Sequence, residues 1–472
     1  MVEALKDNDN YDFDLLCIGS GPGSQRAAIA AAKAHKRVAI VERWPMVGGV
    51  CTHTGTIPSK TFRHAVGGMA RWRQVIEDGY IASDRSMPGM AQLIERVDSV
   101  IREDAAVIEH QLRRNKVQLI EGFGSFVDQH KVLIKSETGS RTLTARNILI
   151  GVGTRPAKPP TFEGCEEFIK TSDALLRLNK LPKSLVVVGA GVIGIEYASM
   201  FAQLEVDVTL IDRRERPLEF VDHELVDELL HQLRAEGVTC LLNEDVDTIE
   251  PYEGECHRGR VKLKSGKQVV GDVILFSIGR QGQTDGLNLD AAGLQADSRG
   301  RLTVDEQFRT EVDHIYAVGD VIGYPALAAT SSEQGRHAAN AAFDLRDRPM
   351  PSHFPIGIYS IPAISMVGRT EQELTAESIP YVTGVARYEE IARGQIVNDS
   401  TGLFKMLFHS ETHALLGVHC IGTEATELVH IGQAVLHLGG GMNYFLDTVF
   451  NYPTFAECYK VAAFDAANKL GL

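Results

Sequence analysis

Two segments of the chain repeat one grammar, and that repetition restricts the fold more than any other feature. In the first, the apolar run Phe13-Asp14-Leu15-Leu16-Cys17-Ile18 ends at Gly19-Ser20-Gly21-Pro22-Gly23-Ser24; a small-residue helix is expected over 27–34 and a strand over 37–41, closing at Glu42. In the second, the apolar run 185–188 enters Gly189-Ala190-Gly191-Val192-Ile193-Gly194, followed by a helix through Ala202 and a strand over 206–211 closing at Asp212. A strand that feeds a glycine-rich turn into a helix aims backbone N–H groups and the positive helix end at a pyrophosphate, and glycine lets the phosphate approach. The acid at the end of the next strand accepts from a ribose 2′-hydroxyl. Ser24 to Glu42 and Gly194 to Asp212 are both 18 residues. One such fingerprint is weak; two, each with strand, helix and acid in place, predict two dinucleotide-binding βαβ units.

A chain of 472 residues is too long for one core and should divide into roughly three domains. The segments 148–156 and 273–280 read alike, an apolar strand closed by Gly and Arg, and mark where the chain leaves each nucleotide domain. An amphipathic helix is expected over 97–115. From about 351 onward the pattern changes to strands over 363–367, 403–408 and 415–420 and then helices, with no nucleotide fingerprint. The fold class is therefore α/β: two Rossmann-like dinucleotide-binding domains plus a C-terminal α+β domain. The expected boundaries are 1–157 and 285–350 for the first nucleotide domain, 158–284 for the second, and 351–472 for the third.

The formal charge of −14 argues against nucleic acid or an anionic membrane as the main partner. No run of about 18 apolar residues occurs, and the amino terminus, with Asp7, Asp9, Asp12 and Asp14, lacks a signal pattern, so a cytosolic protein is expected. Seven scattered cysteines form neither a disulfide framework nor a metal-ligand cluster, and no metal is expected. Cys17 reads as core packing, and Cys165, Cys240, Cys256, Cys420 and Cys458 have no partner visible in sequence. His419, His430 and His437 lie on apolar stretches and read as core or interface residues rather than ligands.

Two details bear on chemistry. Asp212 suits a free 2′-hydroxyl, whereas adjacent Arg213 and Arg214 suit a 2′-phosphate, so the second site is built between NAD and NADP. In the first unit Ser24 replaces the third glycine and Arg26 follows, for which slightly looser strand–helix packing is expected. The segment Gly48-Gly49-Val50-Cys51-Thr52-His53-Thr54-Gly55-Thr56-Ile57-Pro58-Ser59-Lys60 reads as a redox-dithiol loop with one sulfur missing, because Thr56 stands where a second cysteine would be required.

That loop, the two fingerprints and the run Thr310-Glu311-Val312-Asp313-His314-Ile315-Tyr316-Ala317-Val318-Gly319-Asp320 together resemble the FAD-dependent pyridine nucleotide-disulfide oxidoreductases, to which dihydrolipoamide dehydrogenase and glutathione reductase belong. The resemblance spans about 11–466. It implies that Asp320 binds the flavin ribityl chain, that Glu42 binds the FAD adenosine ribose, and that Gly49 and Cys51 lie against the isoalloxazine. Lys60 would sit near flavin N5, ion-paired with Glu196, as the catalytic pair. Gly19, Gly21, Ser24, Arg43, Gly48, Val152, Gly153 and Thr154, with Gly189, Gly191, Gly194 and Gly279, complete the implied nucleotide contacts. Ala328 would open a helix over 329–344 whose positive end faces the flavin pyrimidine edge. The carboxyl-end His-Pro-Thr of disulfide reductases is here Tyr452-Pro453-Thr454, with Glu457, and tyrosine is a poorer proton shuttle near neutral pH.

Within the family the half-cysteine loop looks most like that of members that exchange hydride between pyridine nucleotides, which also carry threonine at the second position. The implied reaction is NADPH + NAD to NADP + NADH, ping-pong through FAD, Si-specific and without a redox disulfide. The alternatives are a diaphorase or quinone reductase, and a single-cysteine thiol or peroxide reductase working at Cys51 with His53 nearby. The third domain implies a homodimer or larger homo-oligomer.

Overall fold

The computed structural model describes residues 11–77, 89–160, 167–345 and 349–472; Asp7, Asp9, Cys165 and the side chain of Cys256 lie outside the described residues. The chain groups into two compact units. Met1–Thr61, Gln92–Ala157 and Gly279–Met350 form one; Phe62–Ala91, Lys158–Ile278 and Pro351–Leu472 form the other.

In the first unit, strand Phe13–Ile18 lies between Val38–Glu42 and Gly139–Ile150, all parallel, with Gln118–Glu121 and Ile315–Ala317 at the flanks. Leu16, Cys17, Ile40 and Ile148 are fully buried, which is why these strands are apolar runs rather than alternating ones. The early half of Gly139–Ile150 also pairs antiparallel with Lys131–Ser136, which pairs with Phe123–Phe126. Helix Pro22–Lys33 lies against helix Ala328–Ala342 at a glycine crossing: a Cβ on Gly335 would stand 2.0 Å from the Gly23 carbonyl oxygen. The alanine-rich composition of Pro22–Lys33 serves this close approach.

The second unit holds a five-stranded parallel sheet in the order Thr239–Leu242, Asp207–Asp212, Ser184–Val188, Val273–Phe276, Ile169–Lys170, and a three-stranded antiparallel sheet, Val246–Tyr252, Glu255–Leu263 and Gln268–Gly271. It also holds the antiparallel sheet of the carboxyl-end region, Ile356–Ile358, Ile364–Gly368, Leu415–Ile421, Leu403–His409, Tyr381–Arg387. Helices Ala425–His437 and Glu457–Leu470 cover that sheet, where Tyr459 packs among Phe404, Phe445 and Phe450 and its hydroxyl donates to the Leu428 carbonyl at 2.8 Å.

Lys405, wholly buried in Leu403–His409, bonds Asp222 and Glu224 at 2.9 Å each and also Glu371. Asp222 caps helix His223–Ala235 by accepting from the Glu224 N–H at 3.2 Å, and it accepts from the Glu371 N–H at 3.1 Å. These three carboxylates form a cluster of metal-ligand type that sequence spacing did not reveal, and the cation at its centre is the lysine. Burial opposes the Lys405 charge, but Asp222, Glu371 and Glu224 outweigh it and raise the ammonium above its usual range.

Several expectations need correction. The segment read as a dithiol loop is helical: Cys51 sits in helix Gly49–His53, and Thr56 opens helix Thr56–Glu77. Pro58 lies in the first turn of that helix, where its missing N–H costs no intrahelical bond. Helix Met90–Arg114 starts well before 97. The first fingerprint helix begins at Pro22, so Gly23 and Ser24 are already in its first turn. His419 is buried, with Nε2 bonded to the Arg369 carbonyl at 2.8 Å, whereas His430 and His437 are exposed in the single chain. Among the described residues no helix is long and apolar enough to cross a membrane.

Candidate functional site

The two fingerprints are built alike down to single bonds. In the first, Glu42 Oε2 accepts from the Ser20 N–H at 2.9 Å and its hydroxyl at 2.6 Å, while Oε1 accepts from the Trp44 N–H at 3.1 Å. In the second, Asp212 Oδ2 accepts from the Ala190 N–H at 2.6 Å. Each acid thus ties the residue after the first glycine to the end of the second strand. The helices start at N-caps Gly21 and Gly191, which offer no side-chain acceptor, so an anion can take the first-turn N–H groups.

The glycines divide by task. A Cβ on Gly19, where φ is +93°, would stand 2.5 Å from the Gly151 carbonyl, and one on Gly194 would stand 1.9 Å from the Gly189 carbonyl. Those two positions close the turn and seat the helix. Around Gly191, Gly153 and Gly279 a Cβ would meet nothing within 4 Å, so those backbones border open space of the kind a dinucleotide fills. Ser24 is fully buried with its hydroxyl unpartnered; it fits because the residue opposite is Gly151, whose Cβ would stand 2.2 Å from Ser24 Oγ.

At the half-cysteine site, Gly49 lies on the first turn, its would-be Cβ 3.0 Å from Gly21 Cα, and the Gly48 N–H donates to the Ser20 hydroxyl at 2.9 Å. The helix carrying Cys51 is thereby fastened to the fingerprint. Thr56 lies near enough to the Cys51 thiol to favour its thiolate. Burial pushes the Cys51 thiol up, Asp104 and Asp320 push the same way, and Thr56 and Lys60 pull it back without prevailing. His53 directs Nε2 at the Met46 and Val47 carbonyls, 3.1 and 2.9 Å away. A thiol held protonated by its surroundings is a weak nucleophile.

Since Thr56 lies close to the Cys51 thiol, Thr56→Cys is expected to form a disulfide with Cys51 when exposed to air, the two thiols passing two electrons and two protons to oxygen. Thiol titration before and after mild reduction should then differ by about two groups in the variant and by none in the native protein, the thiolate-exchange chemistry being otherwise unchanged. An unchanged titre in the variant would show that the pair is held apart.

Asp320 follows strand Ile315–Ala317 and accepts from the Thr154 hydroxyl at 3.3 Å; Arg280 donates to Thr154 Oγ1 at 2.8 Å and to its carbonyl at 3.0 Å. Burial pushes the Asp320 carboxyl up against the pull of Arg280, Thr154 and Arg301. Such a carboxyl gains from a hydroxyl donor, as a ribityl chain offers, so the donor set fits FAD. Val152 is partly buried, Arg43 is exposed beside Trp44, and Ala328 opens helix Ala328–Ala342. Lys60 belongs to the first unit and Glu196 to the second.

In the second fingerprint Arg214 folds back on the acid: its Nε and Nη2 donate to Asp212 Oδ1 and Oδ2 at 2.8 Å each, and its N–H donates to Oδ1 at 2.9 Å. Burial opposes ionisation of Asp212, but Arg214 and the Ala190 N–H outweigh it and hold the carboxyl below the usual range. Arg213 is exposed. Sequence reading assigned Arg214 to a phosphate but missed that the acid occupies it. At the carboxyl end, Tyr452 is two-thirds exposed and Glu457 Oε2 is buried without a hydrogen-bond partner among the described residues.

Comparison with known proteins agrees over nearly the whole chain. The model for the pyridine nucleotide-disulphide oxidoreductases matches residues 13–335, and that for their dimerisation domain matches 354–463. A soluble pyridine nucleotide transhydrogenase of Mycobacterium tuberculosis is 52% identical over 465 residues, covering 97% of this chain and 98% of that one. One from Enterobacter sp. is 43% identical over 473 residues, covering 98% and 99%. Among solved structures, the HOCl-induced flavoprotein disulfide reductase RclA of Escherichia coli superposes with a TM-score of 0.86 at 26% identity, covering 96% and 99%.

Proposed function

The chain belongs to the pyridine nucleotide-disulphide oxidoreductase family, and from that premise we propose that it is an FAD-dependent transhydrogenase passing hydride from NADPH to NAD. The observation that carries this reading is Thr56 beside Cys51, a hydroxyl where a disulfide exchanger needs sulfur. When bound, FAD supplies the hydride-accepting and hydride-donating chemistry. The protein supplies position and charge.

Gly19, Gly21 and Ser24 would seat the FAD pyrophosphate on the helix that opens at Pro22, with Glu42 at the ribose and Asp320 and Thr154 at the ribityl hydroxyls. Gly48, Gly49, Val152 and Gly153 would border it, and the helix opening at Ala328 would present its positive end. Gly189, Gly191, Gly194 and Gly279 would hold the nicotinamide nucleotide. Lys60 would offset negative charge developing during transfer, and Glu196 is proposed with it as a catalytic residue. A protonated, partly buried Cys51 favours this reading over the single-cysteine peroxide reductase. The further features we propose with it are a double displacement, Si-specificity, no redox disulfide, a cytosolic location and at least a homodimer through the region 351–472.

The Asp212–Arg214 pair accounts for acceptance of both coenzymes. Arg214 neutralises the acid until a ligand arrives; a 2′-phosphate draws the guanidinium off Asp212, and a 2′-hydroxyl replaces it as donor. Arg214→Ala is expected to raise KM for NADPH about ten- to a hundredfold, the value of a charge-assisted bond, while KM for NADH changes less than about threefold. Equal losses for the two would contradict the assignment. The reaction order is tested by initial rates with NADPH and thio-NAD varied together: parallel double-reciprocal lines are expected, and lines that intersect would rule out double displacement.

A further inference from the structure

We propose that Arg63 is a positioning residue for Glu196. Arg63 stands three residues after Lys60 on helix Thr56–Glu77, and neither the fingerprints nor the family motifs single it out. Its Nε donates to the Ser360 carbonyl at 3.0 Å. The neighbouring Tyr359 N–H donates to Glu196 Oε1 at 2.9 Å, and the Ile361 N–H donates to the hydroxyl of Ser199, one turn along the Glu196 helix, at 3.0 Å. Segment 359–361 is therefore a bracket, gripped on one side by Arg63 and on the other by Glu196 and Ser199.

The electrostatics run the same way as the geometry. Burial lowers the Arg63 guanidinium from its ordinary range, and the anion that most offsets this is Glu196. Glu196 itself is buried, and a buried carboxylate needs a nearby cation as well as hydrogen bonds. Phe62 packs on Phe201 with ring centroids 5.9 Å apart, and Arg73 reaches the Gln203 carbonyl at 3.4 Å and Glu205 at 3.2 Å, so the Arg63 backbone is fixed against the Glu196 helix from both sides. Arg63 thus orients, through segment 359–361, the Glu196 carboxylate that the reading above places in the catalytic machinery. The inference rests on that reading for its catalytic consequence and on the bracket alone for its structural one.

The test is a double-mutant cycle of Arg63→Met and Glu196→Gln on the FAD-loaded protein, with Arg63→Lys and Arg63→Gln as controls. Urea unfolding should show coupling: Arg63→Met lowers the midpoint clearly in the native background and little in Glu196→Gln, as residues in one network do. Reduction by NADPH, followed by anaerobic loss of flavin absorbance, should slow about ten- to a hundredfold in Arg63→Met but less than about threefold further when Glu196→Gln is already present. Arg63→Lys, which keeps the charge, should stay near native, whereas Arg63→Gln, which keeps a donor for Ser360, should fall with Arg63→Met. Additive midpoint shifts, or Arg63→Gln behaving as native, would overturn the proposal. If the native protein is not reduced by NADPH, the functional reading falls, and the unfolding cycle still decides the role of Arg63.

Discussion

Lys405→Met is expected to destabilise the protein by about 3–5 kcal/mol, the cost of removing one partner from a buried ion pair. Methionine fills much of the same space, so the loss is electrostatic. Asp222 is completely buried with Lys405 at 2.9 Å, and without the lysine two backbone N–H donors and the nearby His419 remain beside the carboxylate. Glu224 and Glu371, both partly exposed, can turn to water and add less. The pH dependence has a defined sign. Burial opposes the Asp222 carboxylate, but His419 and Lys405 outweigh it and lower its range, so its contribution is present above its unfolded range of about 4 and is lost as pH falls through the lowered folded one. Lys405 is raised, so its contribution is present below about 10 and is lost as pH rises through the raised folded range. Native and Lys405→Met proteins should therefore differ most between these limits and converge in acid. Urea unfolding at several pH values measures this, and a difference below about 1 kcal/mol at neutral pH, the value of a surface pair, would show that water reaches the cluster.

Lys60→Met should slow NADPH-driven loss of flavin absorbance about 10²–10³-fold, the usual cost of deleting one preorganised group aimed at developing charge. FAD content and the thermal midpoint should stay near native, because the residues proposed to seat the dinucleotide are others: the Ser20–Glu42 pair, the Gly21 helix start and Asp320 with Thr154. Stopped-flow spectrophotometry resolves the two. A rate within about threefold of native would remove Lys60 from the proposed machinery, since uniform binding effects leave the rate constant unchanged. Loss of FAD together with the rate would instead make it a binding residue.

Both fingerprints were legible because everything they need is local: strand, glycines, helix and an acid eighteen residues on. What sequence could not supply is the partner in space. Ser24 looked like a loosening of the first turn, yet its fit is decided by Gly151, more than a hundred residues away. The Gly-, Thr- and Pro-containing run 48–58 read as a loop because its composition breaks helices in general, whereas here Gly48 and Pro58 fall at helix starts, where neither costs a bond. Lys405 sits in the apolar run Leu403-Phe404-Lys405-Met406-Leu407-Phe408, and only the fold brings Asp222 and Glu371 to it. Arg214 read in sequence as a candidate phosphate ligand, and its pairing with Asp212 was not visible there. Arg63 carried no signal at all, since an arginine on an amphipathic helix ordinarily faces water.

The proposal as a whole turns on where electrons leave. The direct measurement is one anaerobic vessel holding the FAD-loaded protein, NADPH, thio-NAD and lipoamide, in which thio-NADH and free thiol are followed together. Sustained formation of thio-NADH at the rate of NADPH loss, with no thiol produced, is the predicted result. Steady appearance of dihydrolipoamide with little thio-NADH would contradict it.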